Sequence, residues 1–198
     1  MLIRSLCLLL VAGALAGCGP MATAAPIAAA PTAVTPARVL TGDDLPGVLL
    51  STADLPTGWT ALMAGTGNAA SEVSGCGATA ATQDRRAAVA FSRAVLGPYL
   101  AETLSVTPSA RETVERLRQV IAGCAQVSVT PLDVPPMGDD STAFALAAGI
   151  PGVGMSLHGQ VVAASRGDVL MTVTVVGMST LDTATTVTIA RTALAKLG

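Results

Sequence analysis

Apolar and polar residues alternate with a period of two along several short runs of this chain, the pattern of half-buried strands. Over 87–93, Val89, Phe91 and Arg93 share one face. Gly97-Pro98 then turns the chain. Leu100, Glu102, Leu104 and Val106 alternate in the next run, so the two runs predict a hairpin. Upstream, 44–51 reads as a short helix with an acidic start, 53–58 as a turn and 59–63 as a first strand. Downstream, 126–130 and 142–148 read as strands, the second with Phe144 and Leu146 inward. The run 155–164 carries Leu157, Gly159, Val161 and Ala163 on one side. Arg166-Gly167-Asp168 makes a tight connection to a last strand, where Val169, Met171, Val173 and Val175 alternate with Leu170, Thr172, Thr174 and Val176.

Two segments follow the helical period instead. After Pro108, Ser109 and Glu112 have the spacing of a capping box, in which each side chain satisfies an orphan amide of the first turn. Ala110, Val114, Leu117, Ile121 and Cys124 follow at steps of three and four, within an arc of about 80° at the helical repeat. Arg111–Glu115 and Glu112–Arg116 are spaced as i,i+4 pairs on the opposite, solvated face, and Gly123 ends the element. Val187, Ala190, Leu194 and Leu197 give 181–197 a weaker helical pattern, diluted by threonines. Strands joined through hairpins and flanked by helices predict an α+β domain with an antiparallel sheet.

The N-terminus has a different texture. Arg4 precedes an apolar run from Leu6 to Leu15, too short to span a bilayer comfortably. A basic start, an apolar middle and a small-residue end mark an export signal. Leu15-Ala16-Gly17-Cys18 resembles the lipobox of bacterial lipoproteins. That resemblance implies cleavage before Cys18, a diacylglycerol on its thiol and a second acylation site on its new amine. Two or three chains hold a membrane far more firmly than one. Residues 18–41 then form an Ala/Pro/Thr tether, with prolines at 20, 26, 31 and 36 that prevent a continuous helix. Extended, it reaches about 60 Å. The expected organisation is a lipoprotein signal peptide over 1–17, the tether over 18–41 and a folded domain over 42–198, lipid-anchored on the extracytoplasmic face of the cell membrane.

Composition narrows the function. A formal charge of −2 excludes nucleic-acid binding through a basic stripe. Trp59, Tyr99, Phe91 and Phe144 are the only aromatic residues, too few for a stacking platform. Of four cysteines, Cys7 leaves with the leader and Cys18 takes the lipid. Cys76 and Cys124 remain in an oxidising compartment, where leftover cysteines normally pair. That bridge would close a loop of about 49 residues, worth ~4 kcal/mol in the chain-entropy account. Free thiols or a redox pair are the alternatives, although no Cys-x-x-Cys is present.

Little in the chain suggests catalysis. His158 is the only imidazole, and no G-x-S-x-G elbow accompanies it, so it reads as a surface or edge histidine. With no second histidine it does not suggest a zinc site. Asp139-Asp140 lacks the spaced ligands of a calcium loop and reads as a turn. The glycines of 151–154 lack the lysine of a phosphate loop. No catalytic residue, metal or cofactor is expected.

Leu49-Leu50-Ser51, then Asp54-Leu55-Pro56-Thr57-Gly58-Trp59, Cys76 ahead of an alternating strand, the helix from Ser109 to Cys124 and the turn Gly138-Asp139-Asp140-Ser141 occur in an order that resembles the PknH-like extracellular domain. This is the outward-facing sensor module of certain mycobacterial serine/threonine kinases, found also in free-standing actinobacterial lipoproteins. The resemblance covers about 41–197 and implies an α+β fold with a cleft for an unidentified ligand. The kinase members carry two disulfides, whereas Cys76 and Cys124 suffice for one. No kinase domain or spanning helix accompanies the domain in this sequence, so a free-standing lipoprotein is expected. Two readings stay open: a sensor-like module binding a small or apolar ligand, lipid included, and a structural or protein-partner module of the cell envelope.

Overall fold

The computed structural model describes residues 39–66, 85–95, 97–124, 127–150, 152 and 154–198. The expectations for the leader, for Cys18 and for Cys76 lie outside the described residues, as does most of the tether. The described residues fall in one compact unit, Pro36–Gly198.

Seven strands form one antiparallel sheet in the order β1-β2-β3-β7-β6-β5-β4. They are β1 (Thr60–Thr66), β2 (Arg86–Ser92), β3 (Tyr99–Val106), β4 (Ser128–Pro131), β5 (Asp140–Ile150), β6 (Met155–Arg166) and β7 (Val169–Gly177). The helices are α1 (Leu45–Val48), α2 (Ala110–Ala122) and α3 (Thr183–Ala195), with a 3-10 turn at Thr52–Asp54. The class is α+β, as the alternation and helical stripes predict. The topology is two meanders, β1-β2-β3 and β4-β5-β6-β7, that meet where β3 pairs β7 from Tyr99↔Val176 to Val106↔Val169. α2 connects β3 to β4 at the far edge, packing on β5, β6 and β7. Pro131 sits on edge strand β4, where its missing N–H removes no inner ladder bond.

Register fixes two unlike faces. Glu102 lies in line with Val89, Val173, Val162 and Ala143, and the next rows add Phe91, Leu100, Leu104 and Met171. These pack with α1, the following segment through Trp59, and Ile189, Ala190, Ala193 and Leu194 of α3, forming the main core. The opposite face is built mostly of smaller residues, Phe144 excepted, with Ala110 and Val114 of α2 packed on Leu170.

The ends of the helices depart from expectation. Ser109 does not close a capping box: at φ −108°, ψ 32° it lies outside the extended region a capping residue needs, and its side chain caps nothing. The reciprocal box forms instead at Ser51 and Asp54, around the 3-10 turn. Glu115 is taken by Arg118 and Gln119 rather than by Arg111, whose guanidinium reaches the Asp139 carbonyl. No ion pair joins Glu112 to Arg116 among the described residues. Arg118 also reaches Asp140 at 3.2 Å, so the supposedly solvated face of α2 is tied to β5. Leu117 and Leu146, expected inward, are half-buried. α3 starts at Asp182, whose carboxylate accepts the Ala184 and Thr185 amides. The Thr185 hydroxyl and these amides hold its pKa below the ordinary value. This cap offsets the threonines that make the segment a poor helix in isolation.

Candidate functional site

The chemically unusual group is Glu102. It stands mid-strand on the apolar face of β3, between Leu100 and Leu104, and is fully buried. Alternation dictates this: a residue two places from each inward leucine also points inward. A strap running from Leu49 to Trp59 passes over it. The Leu50 amide donates to Glu102 Oε2 at 2.6 Å, while no described residue hydrogen-bonds Oε1. Burial pushes the Glu102 pKa up to about 7, against the lowering effects of the Leu50 amide and Lys196.

A second carboxylate fastens the same strap. Asp54 Oδ2 accepts from the Ser51 amide at 2.8 Å, the Ser51 hydroxyl at 2.7 Å and Lys196 Nζ at 2.6 Å. The Lys196 contact, then the Ser51 hydroxyl, bring the Asp54 pKa down to about 2. Lys196 follows α3 directly, so this ion pair joins two segments 142 residues apart. The strap is thus held by one buried amide–carboxyl contact and one partly exposed ion pair.

A surface groove of about 550 Å³ lies beside the β6–β7 turn. Leu40, Val169 and Leu197 contribute apolar lining, and Asp139, Arg166 and Asp168 contribute polar lining. Arg166 donates to the carbonyls of Leu194 and Gly198, securing the end of α3 that forms one wall. Asp139 Oδ2 accepts the Gly167 amide at 2.7 Å, and the Asp139 amide donates to Ser165. The Gly138–Ser141 turn thereby fixes the groove's other wall. Gly138 has φ +62°, and a Cβ there would lie 2.2 Å from the Ser165 carbonyl oxygen, so no other residue fits without displacing β6.

The residues singled out from sequence are dispersed. His158 is half-buried on β6 opposite Ala147 and Gly177, and no described residue bonds its ring. Asp139 and Asp140 are engaged by Gly167 and by Arg118 and Ser141. No group of three potential metal ligands occurs among the described residues. Cys124 lies just beyond α2 and is disulfide-bonded, with its partner outside the described residues. Sequence reasoning missed Glu102, Asp54 and Lys196. A carboxylate inside an otherwise leucine-lined face was a visible signal for the first; the other two meet only through the fold. No family model matches the chain, and no curated protein matches it.

Proposed function

We propose that this chain is a lipid-anchored, extracytoplasmic, non-catalytic binding module with the architecture of a PknH-like sensor domain. The observation that supports it most is the groove at the β6–β7 turn. Its volume falls in the range of small-molecule sites, and it combines apolar walls with a few fixed polar groups. Leu40, at the domain end of the tether, forms part of it. In this reading the N-terminal lipid on Cys18 holds the domain at the membrane, Cys76 and Cys124 form the bridge, and the groove takes a small or apolar envelope molecule. Native mass spectrometry of the protein purified from its own host tests this directly. A retained small molecule, displaced by an Arg166→Ala or Val169→Asp change, is expected. Ligand-free protein, together with no thermal shift in a screen of envelope lipids and cell-wall fragments, overturns it.

A second reading, a protein-partner module, rests on a different observation. β5 and β6 run past the end of β7, whose Gly177 pairs with His158. Beyond that row the hairpin exposes Met155 and Leu157, and Met178 is exposed at the end of β7. From Ser141 to Ser165 the chain carries no Asp, Glu, Lys or Arg. Chemical cross-linking on intact cells that maps to this hairpin, with an empty groove, would favour the partner reading.

A further inference from the structure

Glu102 has no role in the groove or in the protruding hairpin, yet it is a fully buried carboxyl in an apolar core. A buried carboxylate needs several donors to stay ionised without penalty. Among the described residues Glu102 has one, and that donor belongs to the strap rather than to the sheet. The side chains in register with it on the neighbouring strands, Val89 of β2 and Val173 of β7, carry no charge. The charges acting on it are Lys196, at the end of α3, and Asp54, on the strap itself. These two already pair with each other. The strap buries Leu50, Leu55 and Trp59 when it is down, so its position decides whether this face of the sheet is dry.

We propose that the Leu49–Trp59 strap is a proton-governed closure, held against the sheet while Glu102 carries a proton and loosened when it ionises. Lifting the strap lets water solvate the carboxylate, which the closed form does not permit. The direction follows from linkage. Glu102 has an ordinary pKa of 4.5 when exposed and about 7 in the closed form, so the closed form holds more protons between these values. Closure is therefore strongest below about pH 4.5, weakens as pH rises and is fully weakened above about 7. Asp54 works in the opposite sense. Its lowered pKa keeps the Lys196 pair intact until the pH falls below about 3.8, so the strap has a window of greatest closure in mildly acidic solution. The inference is independent of what the groove binds.

The test follows exchange of the Leu50 amide and the fluorescence of Trp59, the single tryptophan, in the full chain from pH 5 to 8.5. After correction for intrinsic exchange, the opening equilibrium should rise about 70-fold between pH 5 and 8.5, levelling off with a midpoint near 7. Glu102→Gln should flatten the profile, whereas Lys196→Met should raise opening at every pH of this range and keep the profile, its midpoint moved upward by the loss of a charge that lowers the Glu102 pKa. A flat wild-type profile, or an unchanged one in Glu102→Gln, overturns the proposal. Carboxyl-carbon NMR of the wild-type chain reads Glu102 without any substitution. A midpoint near 7 supports the closure, and one near 4.5 overturns it.

Discussion

The two faces of the sheet are built on opposite principles. The α3 face buries large side chains completely: Phe91, Leu100, Leu104, Met171 and Val162 have almost no exposed surface. The α2 face buries mostly small ones, Ala88, Thr103, Ser105, Ala163 and Ser165, with Phe144 as its one large buried ring among the described residues, and its helix contributes Ala110 and Val114 to a cluster with Leu170. Large residues maximise the area removed from water, and they set the stability of the domain. Small ones let a helix lie close to the strands but contribute less, so α2 depends on polar ties such as Arg118 to Asp140 and Ser141. Glu102, the only fully buried charge-bearing group among the described residues, is on the large-residue face, surrounded by apolar side chains. Stability and sensitivity to pH therefore reside on the same side of the molecule.

The comparison can be broken most severely at Phe91. Phe91→Ala should cost about 3–5 kcal/mol, seen as a large drop in the denaturant midpoint. A loss below 1 kcal/mol would mean that the α3 face is not the main core. Gly138→Ala should come next, at about 3 kcal/mol, because it combines a left-handed backbone with a collision against Ser165. It also sharpens the contrast, since the collision is with backbone and cannot be relieved by repacking either face. On the α2 face, Val114→Ala should cost only about 1–2 kcal/mol although Val114 is fully buried. A loss equal to that of Phe91→Ala would erase the difference between the faces.

Acid titration gives a smaller effect. Asp54 is partly exposed, and solvent screens its pair with Lys196, so the pair contributes about 1 kcal/mol. That contribution is present above pH 3.8 and should disappear as pH falls toward 2, a loss absent in Asp54→Asn. The smallest effect is expected at His158. His158→Ala should change stability by less than about 0.5 kcal/mol, as is usual for substitutions away from core features, when followed by thermal unfolding.

The sequence by itself determined most of the local structure. Alternation located β2, β3, β5, β6 and β7, because a strand that faces a core on one side must repeat every two residues. The 3.6-residue stripe located α2, and turn chemistry located the connections at Gly97-Pro98 and Arg166-Gly167-Asp168. Helix starts were less legible. Ser109 had the spacing of a capping box but not the backbone, while Ser51 and Asp54 had both. The spacing is written in the chain, but the dihedrals at a cap depend on how the preceding strand enters the helix. Three features were decided only by the tertiary structure: the meeting of the two meanders at β3 and β7, the Asp54–Lys196 pair and the depth at which Glu102 lies. Each joins segments far apart in the chain, and no local pattern specifies which distant segment will arrive. Glu102 shows the division most clearly. Its inward direction is fixed by the two leucines beside it, but its proton affinity is fixed by the strap and helix that close over it.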